Sequence, residues 1–146
     1  IMDSGLLHLH NLLRWVILIL LLFSIFQAYS KKESLAKTSL FLMISAHTML
    51  LIGLYQWLAG RYGIISTGFM PDSAGEQSKG FYRFFQIEHP LTMIVSVVLI
   101  TIARGKAKVK DYKKATRLLV IALILILIRV PWPFLKEVGR PWFPGM

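Results

Sequence analysis

The sequence predicts an all-α, polytopic membrane protein: a single domain over residues 1–146, built as an antiparallel bundle of four transmembrane helices with both termini outside. Three observations carry this. Of the 146 residues 55% are hydrophobic and only 16% charged, against roughly 25% charged in soluble domains, so the polar surface that would wet a globule is missing. Mean hydropathy is +0.61, yet formal net charge is +10, from 17 Lys and Arg against 7 Asp and Glu. So apolar a chain carries that excess by placing its charges in loops outside a bilayer. Finally, the apolar residues gather into four runs, each near the roughly 20 residues that cross a ~30 Å hydrocarbon core. A soluble enzyme, a disordered tail and a nucleic-acid-binding module are disfavoured together.

The first span, about 6–29, is interrupted by His8, His10, Asn11, Arg14 and Gln27. A cleaved signal peptide wants a basic start and a small-residue cleavage site. Here Ile1-Met2-Asp3-Ser4 opens the run and Lys31-Lys32 follow it, so the segment is expected to be a retained helix. The second span, about 38–60, has no formal charge and one histidine, His47. The third, about 81–104, reaches membrane length only by including the aromatic lead-in before His89. That places Pro90 inside a helix and predicts a kink there. Phe81, Tyr82, Phe84 and Phe85 of the lead-in are expected to anchor at the interface. The fourth, about 116–134, is a Leu/Ile run containing Arg129 and ended by Pro131-Trp132-Pro133.

Loop charge fixes the expected orientation. Lys31, Lys32 and Lys37 lie between the first two spans. Arg104, Lys106, Lys108, Lys110, Lys113, Lys114 and Arg117 lie between the last two. By the positive-inside rule both loops face the cytoplasm, and the termini are periplasmic in a bacterial inner membrane. The basic stretches then meet anionic lipid rather than nucleic acid. All four Trp (Trp15, Trp57, Trp132, Trp142) fall towards the outer side, where an aromatic belt belongs. The Gly/Ser/Pro-rich loop 66–80 is the one connection long enough for a lid or docking surface.

The polar residues inside the spans collect in the outer half: His8, His10 and Arg14 in the first, Arg83, Glu88 and His89 in the third, Arg129 in the fourth. At about 1.5 Å rise per residue, His10 and His89 lie at matching depth, roughly 10 Å inward, with His47 another 5–10 Å deeper. Arg14 follows His10 by four residues and shares its face. Ionisable groups at such depth cost roughly 2.5–3.5 kcal/mol each and mark functional sites by default. Arg14, Arg129 and Arg83 have only Glu88 as an intramembrane counter-ion, which leaves a positive deficit.

A haem b answers both features, with propionates for the arginines and an iron for two imidazoles. With no cysteine in the chain, covalent haem attachment and thiolate metal sites are excluded. His10 and His89 are the expected axial ligands, with His47 as alternative ligand or neighbour and Arg14, Arg129 and Arg83 for the propionates. Ligation by two histidines favours electron transfer over oxygen chemistry. The alternatives are a copper or other metal site built from His10, His47 and His89, and a cofactor-free accessory subunit of a larger respiratory or transport complex. A lone intramembrane histidine is more often an interhelical hydrogen-bond partner than a ligand; three on three helices, biased to one side with the arginines, favour the site. No nucleophile–base pair or carboxylate dyad is present, so no independent catalytic activity is expected.

Four stretches then carry a family resemblance: Leu7-His8-Leu9-His10-Asn11-Leu12-Leu13-Arg14-Trp15, Ala46-His47-Thr48-Met49-Leu50-Leu51-Ile52-Gly53-Leu54, Arg83-Phe84-Phe85-Gln86-Ile87-Glu88-His89 and Val130-Pro131-Trp132-Pro133-Phe134. In order and spacing they resemble the short four-span membrane proteins of Bacteroidetes labelled "cytochrome b". The resemblance covers nearly the whole chain. It implies haem binding and carries over to His10, Arg14, His47, Glu88 and His89. A looser likeness to four-helix b-type cytochromes and copper-resistance membrane domains is one of fold alone. Diheme bundles place ligands on both membrane sides; the inner half of this chain has none, so one haem is expected.

Overall fold

The computed structural model describes residues 2–71, 78–136 and 138–143. Among these the regular structure is helical: α1 (Met2–Tyr29), α2 (Leu35–Ala59), α3 (Ile64–Thr67), α4 (Lys79–Arg83), a π turn (Phe84–Glu88), α5 (His89–Lys108) and α6 (Tyr112–Arg129). Three stretches are long and apolar enough to cross a membrane, Ser4–Tyr29, Leu35–Thr67 and Lys79–Lys108. The fourth long helix differs from expectation. Its 18 residues begin Tyr112-Lys113-Lys114-Ala115-Thr116-Arg117, leaving an unbroken apolar run over 118–128 that extends only about 17 Å. The helix stops at Arg129 rather than continuing to 134, because Pro131 and Pro133 have no N–H to return to the last turn.

The basic stretch, expected as a loop of some helical character over 105–115, is helical except for three residues between α5 and α6, and α2 begins at Leu35 rather than near 38. Both connections close alike. Lys32 N donates to Gln27 O at 2.9 Å, and Asp111 N to Lys106 O at 2.9 Å, the six-to-one bond of a Schellman cap. Each needs a left-handed residue, and each uses a lysine: Lys31 at φ 55° and Lys110 at φ 59°. Asp111 caps α6 by accepting from Lys114 N at 3.3 Å. Lys110 Nζ reaches Glu33 Oε1 at 2.9 Å and ties the two connections together.

Helix α1 packs on α2 and α6, and α5 also packs on α2 and α6. The shared core combines Leu21, Leu35, Leu42, Ile100 and Leu119 with small residues such as Ser24, Ala28, Ser39, Ala46, Ser96, Ala103 and Ala122. Small side chains let backbones approach closely, the packing used where apolar burial gives no drive because lipid is as apolar as leucine. Large apolar side chains instead cover the exterior: Ile19 is 64% exposed, Leu51 69% and Leu91 60%.

The kink expected at Pro90 takes the form of the π turn just before it, where His89 N donates to Phe84 O, five residues back. Pro90 has no N–H for the carbonyl of Gln86, and that oxygen accepts the Trp57 indole N–H at 2.8 Å. The aromatic lead-in is not an exposed anchor. Phe81, Tyr82 and Phe84 are buried with Val138, and Tyr62, Phe85 and Leu135 pack against them. The Arg140 guanidinium lies 5.0 Å from the Phe85 ring centroid and closes this cluster. Winding through the π turn directs these rings inward onto the segment after α6.

Candidate functional site

Two of the four histidines meet. His10, on the third turn of α1, and His89, at the junction of the π turn and α5, have ring centroids 6.3 Å apart at an interplanar angle of 52°. Both rings are partly buried. Phe84 stacks on His89 at 5.9 Å and 25°, with Phe85 at 6.4 Å, so aromatic carbon covers the His89 side of the pair.

The sequence explains how His89 is held. Arg129 ends α6, and four residues on stands Pro133, which has no N–H to offer the Arg129 carbonyl. His89 Nδ1 lies 2.7 Å from that carbonyl oxygen. A carbonyl can only accept, so Nδ1 carries the hydrogen, and in the neutral imidazole Nε2 is left with its lone pair. The same rule applies two residues earlier. Pro131 leaves the Leu127 carbonyl without a helical donor, and Trp132 Nε1 donates to it at 3.0 Å. Pro90, Pro131 and Pro133 therefore free three carbonyls, and a tryptophan or histidine N–H takes each one.

On the His10 side, a Cβ added to Gly53 of α2 would stand 3.6 Å from His10 Nε2. The glycine keeps the α2 side of that nitrogen open by the width of a methyl group. Arg14 lies one turn further along α1, buried at 6% exposure. Its Nη2 donates to the carbonyls of Pro141 at 3.2 Å and Trp142 at 2.8 Å. Trp15 Nε1 donates to the same Trp142 carbonyl, and Asn11 Nδ2 to that of Pro141 at 3.1 Å. Arg14 also sits 5.2 Å from the Trp15 ring and 5.7 Å from the Trp132 ring. Its Nε is buried with no hydrogen-bond partner. Arg14 thus binds the segment after α6 to α1 and keeps one donor unused.

The other expected site residues fall elsewhere. Arg129 enters through its backbone carbonyl. Arg83 is exposed and pairs with Glu88, Nε to Oε1 at 3.8 Å, at the edge of the site. His47 is not with the pair. It faces outward between α2 and α5, with Nδ1 3.0 Å from Met43 O and Nε2 3.3 Å from Thr101 Oγ1. Both its nitrogens are engaged, on the rim of a shallow groove of about 240 Å³ lined by Leu50, Ile94 and Val97 among others. The three-histidine arrangement is therefore not formed: among the described residues no three His, Asp or Glu side chains gather at one point. Of the long loop considered as a lid, residues 72–77 lie outside those described.

One residue of the site region was not anticipated. Gln86 is 2% exposed. Its Oε1 accepts from Met70 N at 2.7 Å, and its Nε2 donates to Gly68 O at 3.1 Å and Thr67 Oγ1 at 3.2 Å. It pins the segment after α3 onto the π turn that carries His89. The signal available in the sequence was Pro90, four residues later.

Two imidazoles that reach one metal ion from opposite sides at about 2.0–2.1 Å per nitrogen have centroids about 6.3 Å apart, since each nitrogen sits about 1.1 Å from its centroid; at a tetrahedral angle they stand about 5 Å apart. Two packed rings could meet at that distance with nothing between them. What distinguishes this pair is the fixed His89 tautomer, since a ligating histidine characteristically donates its other N–H to a carbonyl or carboxylate. Compared with protein-family models, curated proteins and solved structures, the chain gives no match.

Proposed function

We propose that this chain is an electron-transfer subunit of a bacterial inner membrane, holding one b-type haem between His10 and His89 near the periplasmic face. In this reading the four long helices form an antiparallel transmembrane bundle with both termini periplasmic and the lysine-rich connections cytoplasmic. The observation that carries it is the histidine pair, at single-metal spacing with Nδ1 of His89 fixed on the Arg129 carbonyl. The residues around the pair suit the group. Gly53 leaves about a methyl group's room beside His10 Nε2, space that a Cβ would take up at 3.6 Å, and the orphaned Nε of buried Arg14 is a donor available to a carboxylate.

Haem supplies one-electron iron chemistry when bound. The chain's own residues do the rest. His10 and His89, from different helices, would hold the haem iron, and a haem would need no third protein ligand, which fits the pair better than a three-histidine copper site does. Held by two imidazoles, such a group would favour electron transfer over substrate chemistry. Arg129 O sets the His89 tautomer, Phe84 and Phe85 keep water from the His89 face, and Arg14 supplies positive charge beside His10. The side chains near the basic end offer no second ligand pair, so electrons would pass between partner subunits along the outer face.

The test is a reduced-minus-oxidised absorption spectrum of protein purified in mild detergent, with iron and copper content measured on the same sample. A sharp b-type α-band with about one iron per chain is expected. Copper at one per chain without that band would assign the same two nitrogens to a bare copper ion. Neither metal, in protein also offered haem, would leave a cofactor-free accessory subunit.

A further inference from the structure

At the basic end, away from the histidine pair, the last turns of α5 and the first turns of α6 border a shallow, open groove of about 300 Å³ lined by Ile102, Lys106, Lys114, Arg117 and Leu118. Three cations from two helices stand around an apolar floor. Lys114 Nζ is held only loosely, 3.9 Å from Asp111 Oδ2, while neighbouring Lys110, outside the groove, pairs with Glu33 at 2.9 Å. Lys106 and Arg117 pair with no carboxylate among the described residues. The groove also sits where each helix changes character. Helix α5 turns from apolar to basic at Arg104, and α6 becomes apolar at Leu118. That is the depth at which a lipid headgroup meets its acyl chains.

We propose that this groove binds one anionic phospholipid, its phosphate between Lys106, Lys114 and Arg117 and an acyl chain along Ile102 and Leu118. Free phosphate would engage the cations equally but would leave the apolar floor without a use; only a lipid satisfies both halves of the groove. Basic pockets between transmembrane helices on the cytoplasmic side are where anionic headgroups collect. The inference rests on the membrane placement of the helices and not on the metal reading, and its failure would leave the histidine pair untouched.

The experiment places the protein in nanodiscs of equimolar phosphatidylglycerol and phosphatidylcholine, extracts it in mild detergent, and counts retained lipid by native mass spectrometry. The wild type should keep about one phosphatidylglycerol per chain, and each of Lys106→Gln and Arg117→Gln should weaken retention roughly fivefold, the worth of one basic residue near the headgroup layer. Lys31→Gln with Lys32→Gln, equally basic but outside the groove, should change nothing. Circular dichroism on each variant verifies that the helices persist. Equal retention of the two lipids, equal loss in the Lys31/Lys32 control, or displacement of lipid by millimolar inorganic phosphate would each overturn the proposal.

Discussion

A carbonyl that proline leaves without a helical donor is the device on which the site turns at the scale of single residues. Pro133 frees the Arg129 carbonyl, and His89 Nδ1 takes it at 2.7 Å. Restoring an N–H with Pro133→Ala offers that oxygen a backbone competitor. The His89 ring should then lose its fixed tautomer, and metal affinity should fall by about 10- to 100-fold, read by haem or metal titration of the purified variant. Gln86 and Trp57 repeat the device, and this was legible in the sequence only to a reader who counted four residues back from each proline. The meeting of His10 and His89 was easier to foresee, because helical rise sets depth directly. The depth offset of His47 already argued against its joining the pair; the face it occupies, turned towards Thr101, was not legible, because depth says nothing about facing. Away from the membrane, the hydrogen bond from Lys110 and then its charge hold the Glu33 carboxyl below its ordinary value of 4.5. A lowered carboxylate pKa contributes stability that is complete above the ordinary value and is lost as pH falls through the folded-state value. An NMR titration should therefore find Glu33 below 4.5 in the wild type and back in the usual carboxylate range in Lys110→Ala.

At the scale of elements, residues 138–143 lie over the end of α1 that carries His10 because Arg14, Trp15 and Asn11 all donate to carbonyls of Pro141 and Trp142. Hydrogen bonds from a charged donor contribute about 1.5–3 kcal/mol each. Arg14→Ala should therefore loosen this segment by about 2 kcal/mol, seen as faster hydrogen exchange at residues 138–143 while α2 and α5 stay protected. The sequence marked Arg14 as important through its depth, but could not distinguish a counter-ion role from a strap of the chain's own carbonyls, because the partners lie more than a hundred residues away. The tight basic connections were hidden for another reason. Both use lysine where glycine is usual, at φ 55° and 59°, so no glycine announced the end of either helix. Lys31→Gly should relieve this local strain and raise stability by about 1 kcal/mol, measured as a higher unfolding midpoint in detergent.

For the molecule as a whole, the asymmetry is what counts: charge gathers at one end, aromatic and imidazole chemistry at the other, with an apolar exterior between. Composition alone made that division readable, because lipid imposes a rule on every exposed side chain. It did not reveal how short the apolar run of the last helix is: among the four long helices α6 has the shortest, and it packs against α1 and α5. Reporter fusions on the two termini should both read periplasmic, and one between Lys108 and Tyr112 cytoplasmic. The most direct test of the central claim is electron paramagnetic resonance of the oxidised, detergent-purified protein. The account predicts a low-spin ferric signal of two-imidazole character, present in the wild type and in His47→Ala and absent from His10→Ala and His89→Ala. A signal that survives loss of either His10 or His89, or that disappears with His47 alone, would contradict it.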